Sequence, residues 1–438
     1  MKFYFLPLSY LEPLIETVSV RYGVPVDQAD FAVSMVLGVF VSLLMRLTMH
    51  KIPLKYRHFY SLALGIQMLY FSYKFGFLHL LADGVGVYLI MRFLPHSYSC
   101  AVAITYSIGY LMVMHLYKMI TSYMVWTPDV TAALMVGTIK YTSFAMCVAD
   151  AFDEKEKGKK LDSRQTNYKI EDFPDIIEYL GWLFFFPGVL GGPAIEFMDY
   201  RRYVDGTILK STKDGKLPYC HKDTAICLVE GSICMVITAV CPPWGIECVR
   251  RNLSNLEVAA TIPFWKRWVI LYRGAFIKRC IYYVGWLFGE AMSRVSGAGY
   301  TGQIKDPKTG EMVDNWETSV NVMPLLFETA TTMKVGVDTW NMATERWLRH
   351  YVYDRVRFHP KYGKYARYIT FVASAFWHGL YPGYYIFFIS AAVHREAQGS
   401  LFHFISFNHS FTHHYLSILS HSVPKKGSSL CCCLCRES

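Results

Sequence analysis

Long apolar runs alternate along the chain with short polar interruptions. Phe31 to Met49 is the first run long enough to cross a bilayer, since a span takes about 20 apolar residues. Phe59 to Tyr73 and Phe75 to Phe93 follow. Lys74 between them and Asp83 inside the second leave two clean spans or a re-entrant, broken pair open. Further runs cover Cys100 to Ile120, Val130 to Val148, Ile176 to Phe197 and Ala225 to Trp244. Phe264 to Trp286 is apolar but broken by Lys266, Arg267, Arg273, Lys278 and Arg279, as in an interfacial helix leading into a span. Ala151 to Phe173 (DEKEKGKK within it) is expected as a solvated linker, Met198 to Lys222 as a second polar loop, and Ser293 to Val335 as mostly polar. Trp340 to Val356 is amphipathic and basic, and the run Phe371 to Tyr385 follows it. The pattern predicts an all-α, polytopic membrane protein. About eight or nine membrane-embedded helices, at about 20 residues per span, are expected around a central chamber. Residues 1–395 form that domain, and 396–438 a divergent Cys-rich tail that reads as a truncation.

Composition agrees. Of 438 residues, 53% are hydrophobic and 18% charged, whereas soluble domains carry roughly 25% charged residues. The net charge of +10 sits largely in loops between apolar runs. It is topogenic and lipid-surface charge, so the bilayer is the partner and no nucleic-acid face is expected. Arg46, Lys51, Lys55 and Arg57 mark a cytoplasmic end. Met1 to Pro13, interrupted by Pro7 and Glu12, is not a signal peptide by pattern, which leaves targeting to the first span. Cys220, Cys227, Cys234, Cys241 and Cys248 recur every seven residues. Two helical turns separate neighbours, too far to share one metal ion, so they read as small apolar residues on one face.

The candidate chemistry centres on FVASAFWHGLYPGYY, Phe371 to Tyr385, with His378 near its middle. An ionisable side chain within a span is costly and marks a functional site by default. Imidazole suits general-base work near neutral pH. The alternative is a histidine satisfied by a carbonyl on a neighbouring helix. Irregular backbone at membrane depth needs protein or a water-filled cavity to cover it. The breaks at Gly188 to Pro193 and at Pro382-Gly383 therefore point to a lined chamber, with His115, Lys140, Glu196, Glu230 and His378 as candidate polar groups facing it. For Lys140 and Glu230 an ion pair between helices or snorkelling is the alternative.

These residues resemble a known signature. SAFWHGLYPGYY, preceded by DTWNMATERWLRHYVYDRV, is similar to the pattern of the membrane-bound O-acyltransferase family, in particular its lysophospholipid acyltransferase branch. The matching positions are Trp340, Asn341, Trp347, Leu348, Arg349, Tyr351, Val352 and Tyr353, then Trp377 to Gly379 and Pro382 to Tyr385. Two further stretches agree: HLYKMITSYMVWTPDVTAALMVGTIK from His115 to Lys140, and GGPAIEFMDYRRYVDG with Gly192, Pro193, Glu196, Phe197, Asp199 and Tyr200.

The resemblance implies transfer of a fatty acyl group from acyl-CoA to the free hydroxyl of a lysophospholipid, in the endoplasmic reticulum membrane. It implies His378 as base and Asn341 as its partner, with no metal and no cofactor beyond acyl-CoA as co-substrate. The chemistry asks for the same parts: a base for the attacking hydroxyl, and a donor where charge develops on the thioester oxygen. A neutral amide avoids burying a fixed cation. Ser374, one turn before His378, reads as a packing hydroxyl rather than a nucleophile. Arg346, Arg349 and Arg355 could meet CoA phosphates or simply face lipid headgroups. Trp340, Trp347, Trp377, Tyr384 and Tyr385 could line an acyl channel. The expected site is thus His378 and Asn341 for catalysis, with Trp340, Arg349, Trp377, Tyr384, Tyr385 and Glu196 for substrate. Competing readings are another alcohol acceptor (sterol, diacylglycerol or protein serine), a multipass transporter, or a silent scaffold. The chain departs from the resemblance after Pro382 to Tyr385, where relatives continue with further spans. Here Leu401 to Leu419, with His409 and His413 at i,i+4, is expected at the interface or disordered. Cys431 to Cys435 beside Lys425 and Lys426 is expected as an S-acylation cluster or an unselected end. A chamber lacking those later spans predicts weak, detergent-sensitive acyl transfer.

Overall fold

A computed structural model describes residues 10–22, 25–123, 129–212, 214–306 and 309–397. The expectations for Leu401 to Leu419 and Cys431 to Cys435 lie outside the described residues. The described chain is helical, with one antiparallel hairpin, β1 (Gln303–Lys305) and β2 (Met312–Asp314).

The helices follow the apolar runs. They are α1 (Glu12–Tyr22), α2 (Val26–Thr48), α3 (Leu54–Tyr73), α4 (Phe77–Phe93), α5 (His96–Thr121), α6 (Val130–Lys157), α7 (Ser163–Tyr168), α8 (Ile176–Leu183), α9 (Phe197–Asp205) and α10 (His221–Val240). Then come α11 (Ile246–Leu253), α12 (Leu256–Thr261), α13 (Phe264–Ser296), α14 (Pro324–Glu328), α15 (Met333–Thr339) and α16 (Met342–Leu348). A π-helical turn over Arg349–Tyr353, α17 (Asp354–Val356) and α18 (Ala366–His378) follow, and α19 covers 382–397. Among the described residues, five helical stretches are long and apolar enough to cross a membrane: Val26–Lys51, Leu54–Phe93, His96–Thr121, Val130–Lys157 and His221–Val240.

Several boundaries depart from the sequence pattern, each for a physical reason. The second region is one 40-residue helical stretch broken at Lys74, whose φ is +50°. Lys74 Nζ lies 3.0 Å from both Glu12 and Asp30, which explains a cation at an apolar junction. α6 runs nine residues past Val148, into the stretch expected as linker. Lys157 pairs with Asp153 one turn back at 2.7 Å, Arg355 holds Asp150 in a two-pronged pair, and Gly158 ends the helix with φ +62°. Glutamate and aspartate followed four residues later by lysine stabilise exposed helix in this way.

The run Ile176 to Phe197 is not a span. α8 stops at Leu183, and Phe184, Phe185, Phe186, Val189 and Leu190 continue as buried, irregular chain inside the protein. The cause is Lys140 of α6. Its ammonium donates to the Trp182 carbonyl at 2.6 Å and the Leu183 carbonyl at 3.2 Å, and lies over the Trp182 ring. It therefore satisfies the open end of α8, a role that neither an ion pair nor snorkelling describes. The plug packs against α13 through glycine. A Cβ on Gly289 would sit 2.2 Å from Gly192 Cα, so only two glycines allow this approach. α13 is a single 33-residue helix whose first half is largely exposed and whose second half is buried from Tyr283 onward.

Candidate active site

α16 and the π turn after it form the wall between two cavities. Asn341, Thr344, Glu345, Leu348 and Arg349 line a large one of about 1300 Å³. Ala343, Arg346, Trp347 and His350 line a small one of about 130 Å³. Both sets follow the i, i+3, i+4, i+7 spacing of a single helical face.

In the large cavity, His378 is the last residue of α18. Its Nδ1 lies 2.8 Å from the Ser374 carbonyl. A carbonyl only accepts, so Nδ1 carries the proton and Nε2 keeps its lone pair. The ring is packed edge-on by Trp377 (4.7 Å between centroids) and flanked by Phe388 (4.8 Å) and Tyr384 (5.5 Å). Behind it, His115 of α5 bonds the Trp377 carbonyl through Nε2 at 3.2 Å. Gly379 then turns the chain with φ +122°.

Asn341 sits at the start of α16 in the left-handed conformation, φ +48°, which asparagine tolerates better than most residues. Its Oδ1 accepts from the Thr344 hydroxyl at 2.9 Å. Its Nδ2 bonds no described residue, and the residue lines the same cavity as His378. Trp340 closes that side, with Trp286 at 4.8 Å and Phe327 at 4.7 Å from its ring.

Of the expected site residues, the fold brings His378, Asn341, Trp340, Arg349 and Tyr384 to one cavity. It does not bring Trp377, Tyr385 or Glu196 there. Trp377 is buried and donates Nε1–H to the Met135 carbonyl at 2.9 Å, anchoring α18 to α6. Tyr385 packs edge-on to Phe376 at 6.0 Å on the other side of the chain turn. Glu196 lines the small cavity, where it accepts from Arg164 at 2.7 Å and from Tyr351 at 2.9 Å. The other chamber candidates disperse as well. Lys140 lines the small cavity and Glu230 lies on α10. Cys227 is more than an apolar filler: Arg294 donates to its sulfur at 2.7 Å beside Glu290.

The expected arginine trio also separates. Arg346 is tied to the Thr318 and Val320 carbonyls on the small-cavity side, and Arg355 is paired with Asp150. Only Arg349 of the three reaches the large cavity. Lys334, Arg357, Arg367 and Arg395 join it there, against the carboxylates Asp338 and Glu345. These cations come from four separate segments, so no local spacing reveals them. Phe327, Phe371, Phe387 and Phe388 supply an apolar lining. A basic region and an aromatic region in one cavity fit an amphiphile with an anionic head.

The fold and site together define a multi-pass helical membrane protein with a histidine and an asparagine facing one large amphiphilic cavity. The family model described as membrane-bound O-acyltransferase matches residues 115–425, so the chain belongs to the membrane-bound O-acyltransferase family. It is 29% identical over 383 residues to lysophospholipid acyltransferase 6 of Drosophila melanogaster, covering 85% of this chain and 51% of that protein. It is 31% identical over 350 residues to the lysophospholipid acyltransferase of Schizosaccharomyces pombe, covering 77% and 65%. With membrane-bound glycerophospholipid O-acyltransferase 2 of Homo sapiens it shares 25% over 418 residues, covering 92% and 76%. The chain thus spans about half of the fly relative and just under two thirds of the yeast one.

Proposed function

We propose that the chain moves a fatty acyl group from acyl-CoA to the free hydroxyl of a lysophospholipid in the endoplasmic reticulum membrane. The observation that carries this reading is the shared cavity of His378 and Asn341, with the imidazole held in one tautomer by the Ser374 carbonyl. His378 Nε2 accepts the hydroxyl proton as that oxygen attacks the thioester carbonyl. Asn341 Nδ2–H donates to the oxygen where negative charge develops. Collapse forms the ester and expels the CoA thiolate, which takes the proton back from His378. Lys334, Arg349, Arg357, Arg367 and Arg395 hold phosphate groups, and the phenylalanine lining holds acyl carbons. The lysophospholipid names of the fly and yeast relatives support this acceptor.

The test is labelled acyl-CoA with a panel of lysophospholipids, a sterol and a diacylglycerol, on membranes holding the 438-residue chain or its His378→Ala variant. A lysophospholipid product that falls roughly 10²–10⁴-fold in the variant is expected, the usual contribution of one base. Undiminished turnover by an inserted His378→Ala protein refutes the base. Product only in the sterol or diacylglycerol arms refutes the acceptor.

A further inference from the structure

We infer that Asn321 is a positioning residue: it caps α16 from outside and so frees the Asn341 amide for the reaction. The inference rests on the catalytic reading of Asn341. An asparagine at a helix start ordinarily turns its side-chain oxygen onto the second or third backbone N–H of that helix. Asn341 makes no such bond. Its oxygen is taken by the Thr344 hydroxyl instead.

The first two N–H groups of α16 are met from 21 and 22 residues upstream. The Asn321 main-chain carbonyl accepts from Met342 N–H at 2.7 Å. The Asn321 side-chain oxygen accepts from Ala343 N–H at 2.9 Å. Asn321 is only 2% exposed, so these bonds form away from solvent.

Asn321 is in turn fixed to α13. Oε1 of Glu290, itself buried, accepts from Asn321 N–H at 2.8 Å and Val322 N–H at 2.9 Å. The second oxygen of Glu290 lies 3.3 Å from Arg294. Arg346 of α16 closes the loop by donating to the Val320 carbonyl at 3.0 Å. A continuous set of bonds therefore runs from the long helix α13, through 320–322, to the two residues after Asn341. It holds the left-handed turn at Asn341 without using the amide that the reaction needs. Were Asn341 to cap its own helix, that amide would rotate toward the backbone.

The test is a double-mutant cycle in membranes, with thermal stability measured on the same samples. Asn321→Ala is expected to lower kcat by roughly tenfold, the size of a lost helix cap, with KM for both substrates unchanged. The deciding measurement is Asn321→Ala in the Asn341→Ala background. A residue acting through Asn341 adds nothing further to kcat there, whereas a general loss of structure multiplies the two effects. Multiplied effects, or an unchanged kcat in an inserted Asn321→Ala protein, overturn the inference. Should the alanine variant fail to insert, Asn321→Ser serves in its place, its hydroxyl falling one bond short of Ala343 N–H, and the same two outcomes decide. Wild-type kcat in Asn341→Ala alone is a separate result, which refutes the catalytic reading of Asn341.

Discussion

Gly379→Ala tests whether the chain turn after His378 holds the reacting geometry. Gly379 adopts φ +122° and ψ −163°, a region that glycine alone occupies comfortably, at a cost of about 1–3 kcal/mol for other residues. A Cβ would also lie 3.2 Å from His115 Nδ1 and 3.3 Å from its Cγ, closer than ordinary packing. The His115 ring cannot retreat freely, because Nε2 bonds the Trp377 carbonyl at 3.2 Å. Losing that bond adds about 0.5–1.5 kcal/mol. Relief through the chain instead shifts α19, which carries Tyr384 and Phe388 against the imidazole. A misplacement of about 1 Å at reacting groups costs on the order of 100-fold in rate. The assay pairs acyl transfer in membranes with thermal inactivation in detergent. Gly379→Ala is expected to insert, to inactivate at lower temperature, and to turn over at least about tenfold more slowly. The double variant His115→Ala/Gly379→Ala removes the crowding but not the backbone strain, so it stays below wild type. Wild-type turnover and stability in Gly379→Ala would refute the account of this turn.

Other expectations follow from buried groups. Lys140→Met leaves the Leu183 carbonyl without its donor and the Trp182 carbonyl to the Phe185 N–H at 3.2 Å, at a cost of about 1–3 kcal/mol for the unsatisfied group; thermal unfolding of the purified protein checks this, and unchanged stability contradicts the capping role. Arg355→Met leaves the buried Asp150 carboxylate with only Lys159, at 3.8 Å, and should destabilise more than Arg355→Met with Asp150→Asn, because an under-compensated buried charge costs more than a lost pair; equal losses on thermal scans count against the pair. Burial raises the Asp199 carboxyl from 3.8 to about 6, despite Arg202 and Tyr168 beside it. The folded state therefore binds this proton more tightly than the unfolded chain. Its stabilising contribution is full below about pH 4 and lost as pH rises through about 6. Asp199→Asn should flatten stability against pH across that window, and an unchanged profile assigns the dependence elsewhere.

The spans were legible because membrane helices must be long and apolar, and α2, α5 and α10 follow their runs to within a few residues of each end. The run Ile176 to Phe197 was misleading for the same reason. Apolarity reports exclusion from water, and Phe184 to Leu190 are excluded by protein rather than by lipid. Nothing local announces that difference. It depends on Lys140, 42 residues upstream of Trp182, and on the Gly192–Gly289 approach. His378 stands out as a polar group in an apolar run and Asn341 through the resemblance, and the fold places both on the large cavity. Glu196 and Trp377 were selected by the same resemblance, through two different stretches, yet the fold uses one in an ion pair and the other as an anchor. A motif marks what a family keeps in place and does not separate a group that faces the cavity from one that holds its wall.

That distinction explains the irregular backbone around the large cavity. Asn341 is left-handed, Gly379 has an extended positive φ, and the π turn begins at Arg349. All three flank the large cavity, and each breaks a local preference that regular helices elsewhere respect. Such departures persist only where surrounding contacts over-determine them. Those contacts are visible. Asn321 and Thr344 hold the first and His115 the second. At the third, Trp347 reaches Thr142 at 2.9 Å just before the π turn, and within it Tyr351 reaches Glu196. A regular α16 running straight into α17 would satisfy its own backbone and would need none of these partners. The buried polar groups shared between α5, α6, α13 and α16 are therefore best understood as the means by which a helical bundle keeps two short side chains, one amide and one imidazole, turned toward the same cavity.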